Sequence, residues 1–157
     1  MIGRTGIGFD AHRFSETQRP LKLALLTWPG ERGLEGHSDG DVVAHALVDA
    51  IASAGALGDI GELFGTDDPR HRNADSRLFL HQVCERLARA GFALQNAAVQ
   101  LIGNRPAIAP RRVEAQTALS QAVGAPVSVA ATTTDSMGFT GQGLGLAAIA
   151  TCLVTAT

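Results

Sequence analysis

The sequence predicts an α+β fold: one mixed β-sheet with about three helices packed on one face. Two observations carry that expectation. Strand-like and helix-like stretches are interleaved along all 157 residues, yet only about three of them have helical period. No repeat, linker or low-complexity segment divides the chain, so a single domain over residues 1–157 is expected. A hydrophobic fraction of 45% against 18% charged residues leaves enough apolar side chain for a real core.

Residues 4–12 read as a first strand and "SETQRP", residues 15–20, as a turn. "LKLALLT", residues 21–27, alternates weakly and predicts a second strand, and "WPGERGLEGHSDG" reads as a glycine-rich loop. A helix is expected from Asp39 or Asp41, where carboxylates favour the positive end, through "VVAHALVDAIASAGAL". Val43, Leu47, Ala50, Ile51 and Ala54 form its apolar stripe; Asp41, His45 and Asp49 share another face. Residues 58–75 form a polar loop longer than most connections, which marks a functional or mobile segment. Then come a helix over Ser76–Ala90 stopped by Gly91, a strand "FALQNAAVQLIG", a rigid "RPAIAP", and a helix over Pro110–Val123. "PVSVAATTT", residues 126–134, reads as a strand and "GFTGQGLG" as a turn. "LAAIATCLVTAT" closes the chain as a strand apolar on both faces, hence expected to be buried on both.

A formal net charge of -2 gives no basic excess to make nucleic acid the main partner. No apolar run is long enough for a membrane span, and the N-terminus lacks the charged and apolar regions of a signal peptide, so the cytoplasm is the expected compartment. Cys84 and Cys152 match no zinc or redox spacing and read as buried thiols in a reducing compartment.

Four constellations can carry chemistry. Asp10 and His12 stand two apart on a strand and so point to the same side. They are a candidate ligand pair, or a polar strand end with a hydrogen-bonded histidine. His45, off the apolar stripe of its helix, would add a third ligand; three protein ligands with one open position is the layout of a catalytic zinc. Asp41 or Asp49 would orient its imidazole from behind; a satisfied half-buried histidine is the alternative. "ATTTDSMGFTG", residues 131–141, offers hydroxyls, turn N–H groups and Asp135 for phosphates and a divalent cation, or is plain β-propensity followed by a turn. Asp59, Thr66, Asp67 and Asp68 beside Phe64 suit sugar or polyol hydroxyls, or are ordinary turn residues.

Together, "GIGFDAHRF", "GHSDGDVVAHALVDAIASAGALGDIGELF", "DPRHRNADSRLFL" and "ATTTDSMGFTGQG" resemble, in order and spacing, the signature segments of the 2-C-methyl-D-erythritol 2,4-cyclodiphosphate synthase family over essentially the whole chain. The resemblance implies a phosphorus–oxygen lyase of the non-mevalonate isoprenoid route. In that family the 2-phosphate of 4-diphosphocytidyl-2-C-methyl-D-erythritol 2-phosphate attacks the β-phosphorus, closing a cyclic diphosphate and releasing CMP. It further implies a homotrimer with sheets around the threefold axis and active sites between subunits.

Carried onto this chain, the resemblance makes Asp10, His12 and His45 zinc ligands and Asp135 the contact to a second divalent cation, magnesium or manganese. His37 and Thr133 match positions that stabilise the transition state. Asp10, His12, His37, Ser38, Asp59, Ile60 and Gly61 are implied substrate contacts, with Phe64, Thr66 and Asp68 in the loop over the erythritol phosphate. Gly103, Asn104, Arg105, Pro106, Ala107, Ile108 and Ala109 match the segment that receives the cytosine. Thr132, Thr133, Thr134 and Asp135 match the cytidine diphosphate cradle, with Phe139 and Gln142 beside it.

The chain departs from that pattern where cations are frequent: Ala107, Ala130, Ser136 and Gln142 are neutral, and Leu144 replaces a common glutamate. Each lost cation that bonded a phosphate directly costs roughly 1–3 kcal/mol of binding. Arg105 is the expected partial compensation. Two rivals remain on the sequence: a metal-dependent phosphohydrolase using water as nucleophile, and a non-catalytic metal-stabilised trimer.

Overall fold

The alternation of strand β1 sets how the layers meet. In the computed structural model, which describes residues 3–157, the elements in chain order are β1 (Gly3–Arg13), β2 (Pro20–Leu23), β3 (Leu26–Arg32), α1 (Val42–Gly55), α2 (Ile60–Phe64), α3 (Ser76–Arg89), β4 (Phe92–Ile102), α4 (Arg112–Val123), β5 (Val127–Thr132), α5 (Gly138–Gly141) and β6 (Gly145–Ala156). Met1 and Ile2, the start of the expected 1–157 domain, lie outside the described residues.

Gly6 and Gly8 point from β1 at α1. A Cβ on Gly6 would run into the Ala50 carbonyl, and one on Gly8 into the Ala46 carbonyl. Only glycine lets the helix lie this close to the strand. Asp10 and His12 continue the same row of side chains, because residues two apart share a strand face.

The main sheet has the order β1-β6-β4-β5. β6 is antiparallel to both of its neighbours, while β4 and β5 are parallel and joined through α4. The fold is the expected α+β arrangement with a mixed sheet. Leu47 and Ile51 of α1, Leu80 of α3 and Leu119 of α4 are buried with Val99, Leu101, Val129, Leu146 and Val154 of the sheet. α1 is buried almost all round, so the five-residue stripe read from the sequence is only part of its contact surface.

The opposite sheet face is open in the single chain. Ile7 is 65% exposed, Phe9 57%, and Phe9 pairs across the strands with Ile149 at 37%. This corrects the expectation that the last strand is buried on both faces. Ala148, Ala150, Cys152 and Val154 of β6 are buried beneath the helices, but Ile149 and Thr151 face outward because helices cover one side only.

Four local expectations also change. "LKLALLT" is two strands, not one: Ala24 and Leu25 both have positive φ, 54° and 64°, as a tight hairpin turn requires. That conformation is costly for residues with a Cβ, and the two turn N–H groups are satisfied by the fully buried Asp41 carboxylate, at 3.0 and 2.7 Å. The same carboxylate caps α1 through Val43 and Ala44. The stretch expected as loop after Thr27 is strand as far as Arg32. Finally, the long 58–75 loop contains α2, capped by Asp59, and a 3-10 turn at Pro69–His71, capped by Asp68; "GFTGQGLG" begins with the single helical turn α5.

Candidate active site

Where the glycine row of β1 ends, Asp10 and His12 meet His45, which stands in the first turn of α1 with its N–H on the Asp41 carbonyl. Asp10 Oδ2 lies 2.9 Å from His12 Nε2 and 3.0 Å from His45 Nδ1, and the two ring nitrogens are 3.3 Å apart. Donors about 2.0–2.1 Å from a tetrahedral zinc are about 3.3–3.4 Å from one another. The triangle is slightly tighter than that, and one carboxylate oxygen with two imidazole nitrogens is a donor set zinc accepts. The residues present therefore fit a dication held by three protein ligands. Among the described residues this is the one cluster of His, Cys, Asp and Glu so arranged.

The electrostatics point the same way. Burial pushes the Asp10 carboxyl up, but hydrogen bonds and positive charge from His12 and His45 outweigh it and hold Asp10 well below the usual carboxylate range. Burial likewise opposes a charged His45, yet Asp10, by hydrogen bond and charge, with Asp41 and Asp39 behind, lifts its pKa above the ordinary histidine value. The pocket thus holds a carboxylate whose field calls for positive charge at the shared point.

The groups that hydrogen-bond the far side of the His45 ring are not those expected. Asp41 is committed to the hairpin turn and the helix cap, and Asp49 accepts from the Ile60 N–H at 2.7 Å. Instead, His45 Nε2 lies 3.0 Å from both the Ser38 and the Ser76 hydroxyls. Ser76, at the start of α3, was not a candidate from the sequence. Its only sequence signal is its place after the capping Asp75 in "NADSR".

His37 donates from Nε2 to the Asp68 carbonyl at 2.6 Å, tying the 37–39 segment to the 58–75 loop. Arg19 fixes that segment from the other side, donating to the carbonyls of Gly36 and Ser38. Asp10, His12, His37, Ser38 and His45 open on a cavity of about 190 Å³, whose far wall is Ile60, Gly61, Phe64 and Thr66. Phe79 and His71, not candidates from the sequence, complete it, with their rings 5.2 Å apart. Asp59 caps α2 at the rim, and Asp68 is tied up by Arg70 at 2.6 Å.

The remaining candidates form a second group. Thr132 ends β5, and its carbonyl accepts the Gly103 N–H; Asn104 donates to the Gly141 carbonyl at 2.8 Å. Thr133 Oγ1 donates to Asp135 Oδ1 at 3.3 Å, and Thr134 Oγ1 to the Met137 carbonyl at 2.7 Å. Pro106, Ala107, Ile108 and Ala109 lead from there toward α4, with Ile108 in the core; Phe139 is exposed on α5 and Gln142 follows it. Arg105 is engaged by Glu31 at 2.9 Å, so the cation expected to compensate for neutral Ala107 and Ser136 carries its own counter-charge.

The two groups sit at one end of the sheet but on different strands. Ala11, Ala147, Ile102 and Thr132 lie in one row across β1, β6, β4 and β5. Three strand spacings separate its ends, about 14 Å. Asp135 is accordingly not part of the Asp10–His12–His45 cluster.

The YgbB family matches residues 3–155. The chain is 52% identical over 154 residues to a 2-C-methyl-D-erythritol 2,4-cyclodiphosphate synthase of Acidothermus cellulolyticus, covering 98% of this chain and 95% of the relative. It is 56% identical over 151 residues to a bifunctional enzyme IspD/IspF of Clavibacter michiganensis, covering 96% of this chain but only 37% of that relative. A solved 2C-methyl-D-erythritol-2,4-cyclodiphosphate synthase in its CDP-bound form superimposes with a TM-score of 0.87 at 35% identity, over 97% of this chain and 100% of that one.

Proposed function

The chain belongs to the YgbB family, and we propose that it cyclises 4-diphosphocytidyl-2-C-methyl-D-erythritol 2-phosphate to 2-C-methyl-D-erythritol 2,4-cyclodiphosphate with release of CMP, in the isoprenoid precursor route. The observation that carries this reading is the convergence of Asp10, His12 and His45 on one point at the mouth of a small cavity.

Attack of one phosphate on another gathers negative charge, so the site needs cations and hydrogen-bond donors more than a strong base. Asp10, His12 and His45 would hold a zinc ion, and the ion would supply Lewis-acid polarisation of a phosphate oxygen. With Nε2–H committed to the Asp68 carbonyl, His37 has only Nδ1 left to face a phosphate. Ser38, Ile60, Gly61, Phe64 and Thr66, which line the cavity, would hold the erythritol and its phosphate, with Asp59 and Asp68 as the remaining contacts. Thr132, Thr133 and Thr134 offer hydroxyls to the cytidine diphosphate. Asp135 suits magnesium or manganese, which take one or two protein carboxylates and fill the rest of the shell from phosphates and water. Residues Gly103 to Ala109 receive the cytosine. Folding a flexible substrate so that its ends meet supplies several kcal/mol by proximity.

Reacting atoms must approach to about 3–3.5 Å, whereas the two groups of one chain stand apart across the sheet. We therefore assign the complete site to two copies, one giving the metal half and the next the cradle, in a homotrimer. The exposed Ile7, Phe9 and Ile149 supply an apolar face for the sheets to meet on. The reading expects a cytoplasmic enzyme; among the described residues no helix is long and apolar enough to cross a membrane.

Phosphorus NMR of the reaction tests the proposal against its rivals. Two coupled resonances of a cyclic diphosphate, with CMP released in equal amount, are expected. Linear phosphates would indicate attack by water, and no turnover a binding protein.

A further inference from the structure

We propose that Ser76 and Asp39 are positioning residues that hold the proton of His45 on Nε2 and so keep its Nδ1 lone pair aimed at the metal. The inference rests on the reading of Asp10, His12 and His45 as a metal site and adds two residues that the reading did not contain.

The assignment follows from counting protons. Ser76 Oγ lies 2.5 Å from Asp39 Oδ1 and 3.0 Å from His45 Nε2. An ionised carboxylate can only accept, and a 2.5 Å separation is that of a charge-assisted O–H···O bond. The single hydroxyl proton of Ser76 therefore goes to Asp39. Toward His45 the Ser76 oxygen has only lone pairs to offer, so the contact is a hydrogen bond only if Nε2 is the donor. His45 Nδ1 then keeps its lone pair, and it faces Asp10 Oδ2 and His12 Nε2.

Asp39 is held in place for this task. Oδ2 accepts the Ser76 N–H at 2.8 Å and Oδ1 the Asp41 N–H at 3.1 Å, while its own N–H donates to the Ala74 carbonyl. It sits at the start of α3, where the helix favours a negative charge. Ser76 is fully buried and His45 nearly so, which leaves water little chance to compete for either bond. Ser38, the second hydroxyl beside Nε2, has no carboxylate partner for its proton among the described residues. The ring is thus oriented through α3, 31 residues further along the chain than the histidine it serves. Outer partners of metal-bound histidines typically set affinity by 10–100-fold.

The test is zinc titration of the metal-stripped full-length protein against a chromophoric chelator. One tight site per chain is expected for wild type. Ser76→Ala is expected to weaken zinc about tenfold, near the lower end of the range because Ser38 can still accept from Nε2. Asp39→Asn is expected to weaken it as well. The double variant should be no weaker than the worse single one, because the two residues act in series; two merely structural losses would add. Nitrogen-15 NMR of the zinc-loaded wild type reads which ring nitrogen of His45 carries the proton and which binds the ion, and needs no variant to fold. A proton on Nε2 supports the relay and a proton on Nδ1 overturns it. Wild-type zinc binding with unchanged affinity in Ser76→Ala and Asp39→Asn also overturns it. Failure of wild type to bind zinc overturns the metal reading itself.

Discussion

If one active site is built from two chains, two dead variants should repair each other. His12→Ala removes a donor from the metal half and leaves the cradle intact; Asp135→Ala does the reverse. The row from Ala11 to Thr132 puts about 14 Å between the halves of one chain. In a cyclic trimer each site pairs the metal half of one subunit with the cradle of the next. After equimolar subunit exchange, a site is whole when the first subunit is Asp135→Ala and the second His12→Ala. Random assembly makes that so for about one site in four. CMP release by the mixture should therefore climb to about a quarter of the wild-type rate, from the near-zero rates of the separate variants. Differently tagged subunits, with the mixed trimers quantified by mass spectrometry, confirm that exchange occurred. Exchanged trimers with no more activity than their parents would show that each site lies within one chain and refute the two-chain site.

Other predictions concern packing and the thiols. In Gly8→Ala the new methyl meets helix backbone that cannot move without carrying His45 with it; a cost of about 3 kcal/mol is expected. For a chain of this size that lowers Tm by roughly 6–12 °C. Calorimetry and zinc titration of the variant should show both losses; an unchanged Tm would mean that α1 does not rest on β1 so closely. Burial pushes the Cys84 thiol up to about 11. At pH 8 only on the order of one molecule in a thousand is then thiolate, so native-state alkylation should be at least a hundredfold slower than in denaturant and rise tenfold per pH unit. Labelling at the rate of a free cysteine would contradict this environment; Cys84 is half-buried, where the sequence reading expects it buried, because it lies at the edge of the core, and only Cys152 is fully enclosed.

The metal half was legible because its signals are local and periodic. Asp10 and His12 share a strand face by the two-residue rule, and His45 stands one turn into a helix whose cap, Asp41, is visible in the sequence. What stayed hidden depends on contacts distant in the chain. The turn at Ala24 and Leu25 carries no glycine or asparagine, so it reads as continuous strand; the carboxylate that satisfies it comes from Asp41. Helical spacing puts Asp41 and Asp49 on the His45 face but is blind to the N–H groups of the hairpin and of Ile60 that claim them. Ser76 became the partner of His45 only because α3 begins against the 37–39 segment, as the Asp39 N–H to Ala74 carbonyl bond records. The apolar character of β6 was read correctly, but a sequence does not say whether the second face is covered by the same chain or by another copy.

The most direct test of the account is metal content measured together with turnover. Protein stripped with a chelator should release no CMP in magnesium alone, and zinc should restore release in proportion to occupancy, saturating at one ion per chain. Asp10→Asn should take up little zinc and stay inactive while still binding CMP. Full turnover by rigorously metal-free protein, or undiminished zinc uptake by Asp10→Asn, would contradict the claim that these three side chains hold the ion on which the reaction depends.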